Sequence, residues 1–151
     1  MNDLNWADEI LDFAIEREAE SNKFYAELAN RMERPEMQKV FEDFAKEELG
    51  HKAKIEAVKA GGFQVGEQKQ VQSLQIADYV VDVEPRPDMG YSDALIVAMK
   101  KEKAAFKLYL DLAAVAGMEE AKDFFLWLAG EEAKHKLRFE IEYDDLVMKD
   151  N

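Results

Sequence analysis

Cysteine is absent from the 151 residues of the chain. That excludes disulfides, thiolate zinc sites and any cysteine-ligated iron site, so a metal bound here must use oxygen and nitrogen donors. Proline and glycine are scarce, with 3 and 7 residues. Most of them mark four places, Pro35, Gly61-Gly62, Pro85 to Gly90 and Gly117, and leave long unbroken segments between. No stretch approaches the roughly 18 apolar residues of a membrane span. The start, MNDLNWADEILDF, lacks the basic residues and apolar run of a signal peptide, so a cytoplasmic protein is expected. Basic residues are outnumbered, 20 against 33 acidic ones, and the net charge of -13 repels nucleic acid and anionic membrane while attracting cations.

Between the punctuation marks, apolar residues recur at alternating steps of three and four, the pattern of helices packed lengthwise on one another. The spacing predicts helices at about 4–33, 35–60, 92–115 and 118–148. Pro35 suits a first helical turn, Gly61 a C-terminal cap and Ser92 an N-cap. Tight links near residues 34 and 117 make two antiparallel hairpins, and residues 61–91 form one long crossover between them. Its apolar patch SLQIADYVVDV is expected to pack along the bundle or against a second subunit, which favours a homodimer. One all-α domain over 1–151, a four-helix bundle, is the expected architecture.

Only 2 histidines occur, and both follow the same acidic pair, in EELGHK at 47–52 and EEAKHK at 131–136. The offset of 84 positions is general. AIEREAESNKFYAELA from Ala14 aligns without a gap on AMKKEKAAFKLYLDLA from Ala98, so segments of about 5–60 and 89–148 read as an internal duplication.

The helical seams place acids in the middle of apolar stripes. Helix 1 reads Leu11, Ala14, Glu18, Ser21, Tyr25, Leu28, Met32, and helix 3 reads Leu95, Ala98, Glu102, Ala105, Tyr109, Leu112, Ala116. Helix 2 reads Met37, Phe41, Phe44, Glu48, His51, Ile55, Val58, and helix 4 reads Ala121, Phe125, Leu128, Glu132, His135, Phe139. Glu48 and Glu132 lie on their stripes, whereas Glu47 and Glu131 lie about 100° to the side. A buried carboxylate without a partner costs at least several kcal/mol, and four together repel one another. No lysine or arginine lies on the stripes at that level. Two divalent cations among four carboxylates and two imidazoles would balance the charge. Trp6, Trp127 and the methionines read as packing residues with interface roles open, and EIEYDDLVMKD as the solvated end of helix 4.

One Glu on each of two helices and Glu-x-x-His on each of the other two resembles the di-iron carboxylate arrangement of ferritin-like bundles. Glu18 to Tyr25, Glu48-x-x-His51, Glu102 to Tyr109, Glu132-x-x-His135 and the single crossover resemble the rubrerythrin branch over essentially the whole chain. The resemblance implies a centre of two iron ions, with manganese or zinc as substitutes. It makes Glu18 and Glu102 terminal ligands, Glu48 and Glu132 bridging ligands, and His51 and His135 one nitrogen ligand each. Tyr25 and Tyr109 would be hydrogen-bond donors behind the ligands.

Two departures stand out. Rubrerythrins proper carry a C-terminal rubredoxin domain, whereas this chain ends at Asn151 without cysteine, so a separate rubredoxin-type donor is expected to supply electrons. They also carry an extra glutamate on helix 3, where Ala105 here offers none. The implied activity is reduction of hydrogen peroxide in oxidative-stress defence. The alternatives are a ferroxidase or iron-storage protein reacting with oxygen, and a helical module that uses metal only for stability.

Overall fold

The computed structural model describes residues 5–61, 74–81 and 89–149. Four long helices dominate them: α1 (Asn5–Arg31), α2 (Pro35–Ala60), α3 (Tyr91–Val115) and α4 (Glu119–Lys149). Pro35 occupies the first turn of α2, and the residue before it, Arg34, is extended at φ -87° and ψ 125°. Crowding from the proline ring disfavours helical backbone at that preceding residue, so α1 stops and the chain reverses. Gly61 caps α2 through its N–H to the Ala57 carbonyl at 2.8 Å. Ser92 is not the N-cap of α3. Gly90 takes that position in extended backbone, and the Ala94 N–H reaches its carbonyl at 2.9 Å, so the helix begins before the serine.

α1 packs along α2 and α3 along α4, while α1 and α3 meet between the pairs. The expected four-helix bundle of two hairpins is therefore present. Its interior has three levels. One apolar cluster, including Leu11, Ile55, Leu112, Phe125 and Leu128, fills one end. Another, including Leu28, Met37, Phe41, Leu95 and Phe139, fills the opposite end. Glu18, Glu48, His51, Glu102, Glu132 and His135 form a buried polar waist between them. The seams hold with small shifts: on α2, Ala45 is buried and Phe44 only half-buried.

The crossover contributes a short 3-10 turn, Ile76–Tyr79. Tyr79 is buried, donates to Asp111 Oδ2 at 2.7 Å and lies under the Lys107 ammonium, whereas Ile76 and Val80 are exposed. Of the apolar patch, Ser73, Asp82 and Val83 lie outside the described residues, as does the side chain of Trp6.

Trp127 is 43% exposed, so of its two expected roles, packing or interface, interior packing does not describe it. One expectation needs correction: the end of α4 is not wholly solvated, because Glu142 is buried. Arg138 at 3.4 Å and Arg34 at 3.9 Å hold it. Those arginines lie one helical turn away on α4 and on the α1–α2 link, and only the fold brings the second one close. No helix among the described residues is long and apolar enough to cross a membrane.

Candidate metal centre

Each helix delivers its acid to the waist because the seam repeats every three or four residues. The i,i+3 spacing puts Glu48 and His51 on one face of α2, and Glu132 and His135 on one face of α4. All six residues are at most 2% exposed. Their donor atoms form two overlapping quartets, each within 4.8 Å: Glu18, Glu48, His51 and Glu132, and then Glu48, Glu102, Glu132 and His135. Glu48 and Glu132 belong to both. The arrangement is approximately twofold.

The imidazoles cross between hairpins. His51 Nδ1 lies 2.9 Å from Glu132 Oε1, 3.4 Å from Glu48 Oε1 and 3.6 Å from Glu18 Oε2. His135 Nδ1 lies 3.1 Å from Glu48 Oε1 and 3.7 Å from Glu102 Oε1. The tyrosines cross too. The Tyr109 hydroxyl donates to Glu18 Oε1 at 2.6 Å, and the Tyr25 hydroxyl donates to Glu102. Each tyrosine thus serves the glutamate of the opposite helix, not the one two turns before it.

Sequence reasoning set Glu47 and Glu131 aside, and the structure gives them a place. Glu47 Oε2 lies 3.3 Å from His135 Nε2, and Glu131 Oε1 lies 3.6 Å from His51 Nε2. A carboxylate on the outer nitrogen fixes the tautomer and orientation of a ligating imidazole. In each doubled acid, the second residue points into the waist and the first reaches the histidine of the other hairpin. The repeated Glu-Glu was the available signal.

The electrostatics show what the cluster lacks. Burial, with the carboxylates of Glu102 and Glu18, pushes Glu48 up to about 8, and burial with Glu102 and Glu48 raises Glu132 well above the usual range. Burial would depress both imidazoles, but hydrogen bonds and charge from Glu18 and Glu48 bring His51 up to about 10. Glu102 and Glu48 bring His135 to about 11 in the same way. Burial alone would also raise Glu18, yet the hydrogen bond from His51 and its neighbours leaves it below the usual value. Without metal, protons supply the positive charge. Even so, Glu18 Oε2, Glu48 Oε1, Glu102 Oε2, Glu132 Oε2 and His135 Nδ1 are buried with no partner in good hydrogen-bonding geometry, although His135 Nδ1 and Glu48 Oε1 lie 3.1 Å apart. Glu142 has its arginines. These waist acids have no arginine or lysine within salt-bridge reach among the described residues. Five donor atoms without a well-formed hydrogen bond, converging in a waist of carboxylates and imidazoles, fit a pair of divalent ions, and this donor set suits iron or manganese.

A crevice opens onto this centre from the α1 and α3 side. Arg17, Glu18, Ser21, Glu48, Tyr79 and Ala105 line it. Ala105, one turn after Glu102 on α3, offers no carboxylate to this wall.

Paired carboxylates and Glu-x-x-His motifs in the waist of two helical hairpins define the ferritin-like dimetal carboxylate class. The sequence matches the rubrerythrin family over residues 9–89 and 93–151, and the chain belongs to that family. In fold it is similar to the crystal structure of a ferritin-like diiron-carboxylate protein from Thermotoga maritima. The TM-score is 0.72 at 22% identity, with 89% of this chain and 92% of that chain covered. No curated protein matches the sequence.

Proposed function

We propose that the protein is a di-iron redox enzyme that reduces hydrogen peroxide with electrons from a separate donor, such as a rubredoxin-type protein. The observation that carries the reading is the pair of quartets sharing Glu48 and Glu132, with Glu18 and Glu48 also lining an open crevice. In this reading Glu18, Glu48 and His51 with Glu132 hold one ion, and Glu102, Glu132 and His135 with Glu48 hold the other. These residues would hold two ferrous ions, whose chemistry would be to supply the two electrons that, with two protons, convert peroxide to two waters. The crevice admits a small oxidant, and the apolar clusters on either side of the waist keep bulk water from the ligands. Burial and the facing carboxylates raise Tyr25 and Tyr109 far above the usual phenol range, so both hydroxyls stay protonated and keep donating to Glu102 and Glu18. Glu47 and Glu131 orient the imidazoles. The proposal includes a homodimer, which would cover the exposed Leu137 and Ile141 of α4.

Two observations favour a second reading, a ferroxidase or iron-handling protein that reacts with oxygen. Ala105 leaves the crevice without the additional carboxylate of rubrerythrins proper, and the net charge of -13 draws cations. Stopped-flow oxidation of protein loaded anaerobically with two ferrous ions per chain separates the two. Faster reaction with peroxide than with oxygen is expected, and the reverse order would replace the first reading by the second.

A further inference from the structure

The ligands are matched between the two halves, but their aromatic surroundings are not. His135 stacks on Phe44 with centroids 4.1 Å apart and planes at 28°. His51 instead meets Trp127 edge to face, at 5.5 Å and 82°. The position matching Trp127 in the first hairpin is Asp43, so the indole has no counterpart. Trp127 is 43% exposed, while His51 behind it is 2% exposed. The Lys54 ammonium lies 5.2 Å over the same ring, and these residues, with Glu120, Asp123 and Phe124, form an open surface hollow.

Packing does not account for this placement. A tryptophan that served the core would bury its large apolar ring, and this one stands near half exposed with one edge against a proposed ligand. A donor protein cannot touch His51 itself. It can touch the indole, which is electron-rich and in direct contact with that imidazole. The hollow shares no lining residue with the crevice beside Glu18. Oxidant and electron donor therefore have separate faces.

We propose that Trp127 is the point of electron entry, passing electrons from a one-electron donor to the centre through its contact with His51. The inference rests on the di-iron reading above and identifies where that reading's donor acts. Each event oxidises one reduced carrier by one electron and reduces one ferric ion to ferrous. Two events reset the pair, and no bond is made or broken.

The test uses full-length protein loaded with iron, oxidised, and then reduced anaerobically by the methyl viologen radical. This planar one-electron donor is too bulky for the crevice beside Glu18. With Trp127→Leu the reduction rate is expected to fall about tenfold or more, and with Trp127→Phe, which keeps an aromatic edge, to fall less. Iron stoichiometry and the rate of ferrous oxidation by peroxide are expected to hold within about twofold in both variants, a split that a structural lesion would not produce. A second readout needs no turnover. In a Trp6→Phe background, Co(II) filling the site is expected to quench the Trp127 emission, and His51→Ala, which loses the nearer ion, to weaken that quenching. Unchanged reduction in Trp127→Leu, or emission indifferent to metal, overturns the inference while leaving the di-iron reading intact. Wild-type protein that takes up no iron overturns both.

Discussion

Replacing Glu48 by glutamine is expected to stabilise the metal-free protein while destroying its metal site. Burial, with the charges of Glu102 and Glu18, holds Glu48 up at about 8, against an ordinary value of 4.5. Because the folded value is the higher one, the folded state keeps this proton between those limits. The associated stability is complete below about pH 4.5 and is lost as the pH rises through about 8. At about 1.4 kcal/mol per pH unit, the span sets a ceiling near 5 kcal/mol. Glu132 and the imidazoles take up protons as Glu48 gives its own away, so under half of the ceiling, about 2 kcal/mol at pH 8, is expected. Glutamine needs no proton to be neutral. Its amide N–H can donate where the carboxylic acid donates, and its oxygen can accept from His135 at the 3.1 Å site. For a chain of this size the gain corresponds to a rise in Tm of about 4 to 8 °C in chelator-treated protein at pH 8. The gain shrinks at pH 5. Thermal unfolding followed by circular dichroism reads the first effect, and elemental analysis after reloading reads the second, with bound metal falling from two ions per chain. A variant that melts below wild type at pH 8, or that still holds two ions, would refute the account of an under-compensated waist.

Three other outcomes follow from the same geometry. Tyr109→Phe removes the 2.6 Å hydrogen bond to Glu18 and is expected to lower the stability of the metal-free protein by about 1 to 3 kcal/mol while two ions still bind, as urea titration and metal analysis would show. Glu47→Ala is expected to keep both ions with affinity reduced about 10- to 100-fold, whereas His51→Ala loses an ion outright; equal stoichiometric losses in competition titrations would contradict the orientation assigned to the doubled acids. Binding of two divalent ions near pH 7 is expected to release about four protons, from both imidazoles, Glu48 and Glu132, so calorimetry in buffers of different ionisation enthalpy should show that count and an affinity falling steeply at lower pH.

Much of this centre was legible because it is a local property of helices. Glu18, Glu48, Glu102 and Glu132 interrupt seams whose period is set by helix geometry, so their inward direction follows without tertiary knowledge. The bundle was legible for the same reason, with Pro35 and Gly61 marking real ends. What stayed hidden depends on neighbours across the bundle. Nothing within α1 says that Tyr25 will meet Glu102 in place of Glu18. Nothing local to Glu47 shows that the helix opposite brings His135 to it. Glu142 sits in a tail that reads as solvated, and its burial depends in part on Arg34, more than a hundred residues earlier. Ser92 failed as a cap because the extended backbone at Gly90 started the helix before the better capping side chain could be used. Trp127 read as a packing residue with an interface role open, and its exposure follows from which side of α4 faces α2.

The composition of the two quartets has a consequence for how such a protein is put together. The first takes three side chains from the α1–α2 hairpin and one from the other, and the second reverses those proportions. A polypeptide with one hairpin alone would own two acids and a histidine, and could complete a four-residue cage only by borrowing from a second copy of itself. The matched halves of this chain therefore preserve the geometry of a self-complementary pair written into one molecule. Each four-residue cage is therefore complete only while the two halves hold together across the seam between them.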